Sequence, residues 1–153
     1  PPGHGGISIV RISGSLSTKL TKQICKKSSS FSHRRPALSS VYNGAGKIID
    51  NAVFTFFKSP HSYTGEDVLE ISCHGNPIIV DQIVSTICSF GARLADPGEF
   101  TKRAFLNGKL DLVQAESVSK LIESRSIEAA NINSKILSGS LSKKLNTIKE
   151  SVV

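Results

Sequence analysis

The sequence predicts a domain of mixed strands and helices that runs on into a helical tail, and three observations carry that prediction. Apolar runs of strand length recur through the first part of the chain, each bounded by Gly, Asn or Pro. Between them, apolar residues repeat at three- and four-residue steps, the period of a helix face. From Asp111 onward the composition changes, with no Pro, no aromatic and one Gly remaining before Val153.

The first strand is Ile7 to Ser13, ISIVRIS. In SGSLSTKLTKQICKK, Leu16, Leu20 and Ile24 then fall at helical spacing. The Ser-rich stretch KKSSSFSHRRP reads as a solvated loop. LSSVYNGAGKIIDNAVFTFFK holds two β-rich arms around Asn43-Gly44-Ala45-Gly46, which predicts a hairpin with a longer loop. Val68, Leu69, Ile71 and Cys73 carry the next strand, broken before by Thr64-Gly65 and after by Gly75-Asn76-Pro77. Asn76 is a good N-cap and Pro77 suits the first turn of a helix lined by Ile78, Ile79, Ile83, Val84 and Ile87 and ended by Gly91. A short strand, ARLA, is expected at 92–95. Asp96-Pro97-Gly98-Glu99 resembles a capping box before the short helix FTKRAFLN, which Asn107-Gly108 stops. In the tail, Val118, Leu121 and Ile122 form a stripe, Ser124 to Ser126 a break, and Ala129, Ile132, Ile136, Leu141, Leu145, Ile148 and Val152 a second stripe. Such a stripe needs a partner, either a further helical domain or another chain.

With 153 residues the chain suits one domain of ordinary size, and 39% hydrophobic with 20% charged residues fits a soluble globular class. No apolar run approaches the roughly 18 residues of a membrane helix. The start, PPGHGGISIVRISG, lacks both an initiator Met and the pattern of a signal peptide, so a truncated beginning and a cytosolic setting are expected. Cys25, Cys73 and Cys88 are too few and too scattered for a disulfide framework. A formal charge of +7 favours polyanions, nucleic acid first. Lys19, Lys22, Lys26, Lys27, Arg34 and Arg35 supply much of it, either as an RNA-facing surface or as ordinary solubilising charge.

Nucleotide hydrolysis finds no support in these residues. Gly46-Lys47 and Gly108-Lys109 both lack the following Ser or Thr and the earlier Gly of a P-loop, and no Asn-Lys-x-Asp is present. Cys73-His74 with Glu66 or Asp67 does not supply four local metal ligands, so no metal site is expected. A Cys73 nucleophile lacks a base, since adjacent strand residues face opposite ways. Arg11, Glu70 and Lys109 remain, three charges inside or beside strongly apolar elements. Together they suit a heterocycle with an acidic tail. Spacing alone equally fits, and favours, an Arg11 to Glu70 salt bridge between neighbouring strands.

Three blocks, PPGHGGISIVRISG, SYTGEDVLEISCHGNP and DPGEFTKRAFLNGKLDLVQAE, make the chain resemble the N-terminal part of the MnmE family, also called TrmE, of tRNA modification GTPases. The resemblance implies an α+β domain, a mixed β-sheet with packed helices similar to the tetrahydrofolate-binding domain of aminomethyltransferase-like proteins. It places this domain at 1–110 and the first helices of an incomplete helical domain at 111–153, with the GTP-binding domain absent. It also implies a homodimer that binds formyl-tetrahydrofolate, with Arg11, Glu70 and Lys109 at ligand-contacting positions. GTP, magnesium and potassium belong to the full-length family members only. Those work with the flavin-dependent partner MnmG (GidA) to install a carboxymethylaminomethyl-type group on the wobble uridine of tRNA. No catalytic residue is expected here, and the chain alone is expected to be inactive in that reaction. The family setting implies the bacterial cytoplasm, or an organelle in a eukaryote. His4 stands where many relatives carry Arg. The alternatives are a self-contained folate-dependent one-carbon transferase and a basic RNA-binding module without ligand.

Overall fold

Four strands, β1 (Gly5–Ser13), β2 (Ala37–Tyr42), β3 (Ile48–Phe57) and β4 (Val68–Gly75), lie in the order β1-β4-β3-β2, and each ladder is antiparallel. An isolated parallel bridge, His33 to Phe56, lies outside the ladders of these four strands. The computed structural model describes residues 4–25, 31–142 and 148. With the helices below, the sheet makes the α+β class expected from the sequence.

Side chains alternate across a strand, so each strand divides its residues between two faces. Val10 and Ile12 from β1, Ala52, Phe54 and Phe56 from β3, and Leu69, Ile71 and Cys73 from β4 turn to one side and are buried. Leu20 and Ile24 of α1 (Ser17–Cys25) and Ile83 and Ile87 of α2 (Pro77–Ser89) complete this core. Burying one such side chain contributes about 1.5–3 kcal/mol, which is why the helix-period residues settle here. The other face carries Ile9 and Arg11 opposite Ser72 and Glu70, and Val53 and Thr55 on the far side of the same two residues.

Local signals fix most element ends. The Asn76 side chain accepts the Ile78 N–H at 2.9 Å, with Pro77 in the first turn of α2. The β2–β3 turn closes through Asn43, whose carbonyl accepts Gly46 N–H and whose side chain accepts Lys47 N–H. Gly75 is fixed by close approach: a Cβ there would run into the Gly5 backbone carbonyl.

The chain divides into two units, Pro1–Ser62 with Glu66–Asp96, and Tyr63–Gly65 with Pro97–Val153. The second contains α3 (Glu99–Leu106), α4 (Leu112–Ile122) and α5 (Ile127–Leu137). Asp111 caps α4 in a reciprocal box with Gln114, and Ser126 caps α5 by accepting Ala129 N–H at 3.1 Å. The Gln114 side chain also donates to the Leu137 carbonyl at 2.9 Å, joining α4 to the end of α5.

One expectation is corrected. Residues 92–95 form no strand, since they gain no ladder partner, Leu94 stays exposed and Arg93 donates to the Leu94 carbonyl. The N-cap of α3 is Gly98 in the left-handed region, φ 75, and Glu99 pairs with Arg103 one turn on, at 2.8 Å. Lys26, Lys27, Leu145 and Val152 lie outside the described residues. Among those described, no helix is long and apolar enough to cross a membrane.

Candidate functional site

Arg11 and Glu70 are direct cross-strand neighbours in the β1–β4 ladder, on the face away from the core. The Arg11 guanidinium reaches Glu70 Oε1 from two nitrogens, Nε at 2.8 Å and Nη2 at 2.7 Å. Both side chains retain solvent access, 43% for Arg11 and 25% for Glu70, so the pair contributes at most about 1 kcal/mol to stability. The strand-to-strand ion pair expected from spacing is therefore present. Thr55 of β3 lies opposite Glu70 on its other side, so the carboxylate sits in a row of polar and β-branched residues.

Lys109 belongs to the second unit. Its backbone N–H closes the end of α3 by donating to Ala104 O at 2.8 Å. There it meets part of the Ser62–Pro77 block, because Tyr63–Gly65 belongs to the same unit. Asn107 donates from its side-chain amide to Thr64 O at 2.7 Å, and Tyr63 and Thr101 share a hydroxyl hydrogen bond at 3.0 Å. Gly65 adopts φ +78, and a Cβ there would lie 3.1 Å from Asn107 Cβ and 3.2 Å from Lys109 Cγ. Tyr63–Gly65 and the FLNGK segment are thus packed together within this unit. Arg11 and Glu70 are brought together in one unit, and Lys109 is placed in the other.

The remaining acids of the block are anchors. Glu66 accepts from Ser13 Oγ at 2.8 Å. Asp67 accepts Ser59 N–H at 2.9 Å and Thr18 Oγ1 at 3.2 Å, and its carbonyl receives Gly14 N–H and Ser17 Oγ. Both carboxylates hold the turns around β4, as expected of loop residues.

Cys73 and His74 separate as alternation requires. Cys73 is buried, its thiol donating to Ser8 O, and its pKa is raised first by burial and then by the Asp50 charge, which makes it a poor nucleophile. His74 is exposed, with Nδ1 2.7 Å from Asp50 Oδ1, while its backbone N–H donates to Asp50 Oδ2 at 2.9 Å. Burial would raise the Asp50 pKa, but the hydrogen bonds from the His74 backbone and ring and from Asn51 N–H outweigh it and the net shift is downward. The sequence gives little warning of this pair, whose members lie far apart in the chain; the one clue is an Asp inside an apolar strand. Among the described residues no group of three or more His, Cys, Asp or Glu could hold a metal ion. A separate cleft of about 370 Å³ between the β2–β3 turn and α2, lined by Asn43, Lys47, Asp81 and Gln82 among others, contains none of the three predicted site residues.

An antiparallel sheet with a solvent-accessible Arg–Glu pair, joined in sequence to a helical unit, defines the class as an α+β module. The family model "GTP-binding protein TrmE N-terminus" matches residues 1–109, and the chain belongs to that family. It is 46% identical over 151 residues to the tRNA modification GTPase MnmE of Aliarcobacter butzleri, covering 99% of this chain and 34% of that protein. The MnmE of Fervidobacterium nodosum is 43% identical over 157 residues, 100% of this chain and 34% of the relative. That of Francisella philomiragia is 46% identical over 153 residues, 100% and 33%. The chain thus spans about a third of the length of the curated relatives it matches.

Proposed function

We propose that this chain is the formyl-tetrahydrofolate-binding and dimerisation module of a GTPase that modifies the wobble uridine of tRNA together with an MnmG (GidA) partner. The observation that carries the reading is the Arg11–Glu70 pair on the outward face of the sheet, in a chain whose first 109 residues match the family model. The residues fit the ligand's chemistry. A partly exposed carboxylate can accept from the N–H donors of a pterin, and a guanidinium can meet a carbonyl or the carboxylates of a glutamyl tail. Lys109 enters by its motif position and supplies a second cation. When bound, folate supplies the one-carbon unit, and these three residues bind and orient it. GTP, magnesium and potassium act in the GTP-binding domain of the complete protein. Residues 111–153 are read as the first helices of the family's helical domain, and the setting as the bacterial cytoplasm.

Calorimetric titration with 5-formyltetrahydrofolate tests the reading. Saturable binding that Glu70→Ala weakens at least tenfold is expected. No heat from the wild-type chain at high protein concentration overturns it. Turnover of a formyl or methylene donor by the chain alone would favour the one-carbon transferase instead.

A further inference from the structure

We propose that the end of the β2–β3 hairpin opposite its turn is a docking surface for the phosphodiester backbone of structured RNA, built by Arg34, Arg35 and Lys58 around His33 and His61. Three segments converge there. His33 forms its bridge to Phe56, Arg34 N–H donates to Phe56 O at 2.8 Å, and Lys58 N–H donates to His33 Nδ1 at 2.9 Å. Arg34 Nη2 reaches the His61 carbonyl at 3.3 Å, and the two imidazoles lie 6.0 Å apart. This network presents the basic groups side by side, with His33, Arg34, Arg35, Lys58 and His61 all exposed.

Two observations point to a ligand beyond ordinary solubility. Arg34 holds φ 56, a left-handed conformation uncommon for a residue with a Cβ and typical of functional positions. Like charge is also concentrated: Asp50 is the single carboxylate from Phe31 to Ser62, and it lies toward the other end of the hairpin, engaged by His74. The nearby Asp67 carboxylate is occupied by Ser59 N–H and Thr18. The His33 imidazole titrates below its usual range, from desolvation first and then from Arg34, His61 and Lys58, as expected for clustered positive charge. Closely set cations without intervening acids suit a run of phosphates, because each phosphate they neutralise releases condensed counterions. The partner assigned here rests on the tRNA-modification reading above.

The test is binding of an unmodified tRNA transcript to the 153-residue chain over a range of salt concentrations. Arg34→Asn/Arg35→Ala/Lys58→Ala is expected to weaken binding at least tenfold at low salt. It should also flatten the slope of log affinity against log salt by roughly 0.7–0.9 for each phosphate that is no longer neutralised. Arg35→Ala/Lys58→Ala, which spares the Arg34 backbone, should flatten the slope in the same direction by less. Lys47→Ala, at the other end of the hairpin, should leave it unchanged. Equal slopes for all variants, or equal losses on heparin and on phosphatidylserine vesicles, overturn the proposal. Folate titration of the same variants separates the two claims: normal folate binding without an RNA effect rejects this surface alone, whereas an RNA effect without folate binding rejects the folate reading alone.

Discussion

The Asn107 side-chain amide donates to the Thr64 backbone carbonyl at 2.7 Å, tying the turn before Lys109 to the start of the block that leads into β4. Thr64 is fully buried and Gly65 beside it adopts φ +78, so this packing depends on both the amide and the missing side chain. Gly65→Ala should destabilise the protein by about 1–2 kcal/mol, from the left-handed backbone and the crowding by Asn107 and Lys109. Asn107→Ala should cost about 1 kcal/mol by removing one hydrogen bond. Denaturant unfolding of each variant measures both, and unchanged midpoints would contradict the packing.

Gly75 provides the corresponding test in the sheet. Gly75→Ala forces β1 and β4 apart at Gly5, and overpacking of this kind costs typically about 1–3 kcal/mol. A lowered unfolding midpoint is expected by circular dichroism, with Gly6→Ala, which meets nothing within 4 Å, as the milder comparison.

Acid stability should report Asp50. Its pKa lies below the ordinary 3.8 in the folded protein, so its contribution is complete above that value and is lost as pH falls through the lower folded one. Asp50→Asn should therefore be less stable than wild type near neutrality, and the difference should shrink below about pH 4. A stability difference that stays constant from about pH 7 to about pH 2 would show that the carboxylate's charge is not what His74 and Asn51 stabilise.

Much of the fold is legible because its determinants are local. Asn76 and Pro77 announce α2, Asn43 to Gly46 announce the hairpin turn, and Leu20 and Ile24 reach the core face their spacing implies. The expected strand at 92–95 fails because a strand depends on a partner edge, which no tetrapeptide encodes. In the candidate site, the Arg11–Glu70 pair follows from alternation and strand adjacency, both readable. Asp50–His74 depends on the β3–β4 register, which is set by packing across the whole sheet. The association of Tyr63–Gly65 with Asn107 and Lys109 is likewise a tertiary fact, hidden from any local window.

The central claim is that Arg11 and Glu70 bind folate in addition to bridging two strands. Exchanging them, as Arg11→Glu/Glu70→Arg, keeps an ion pair across the ladder but inverts its polarity toward a ligand. Cross-strand pairs contribute only about 0.2–1 kcal/mol, so thermal stability should change little. The decisive measurement is calorimetric titration of this exchanged variant with 5-formyltetrahydrofolate beside the wild-type chain. Binding by the wild type and at least tenfold weaker binding by the exchanged variant, at matched stability, is the predicted result. Equal affinity in the two proteins would reduce the pair to a structural contact and contradict the account.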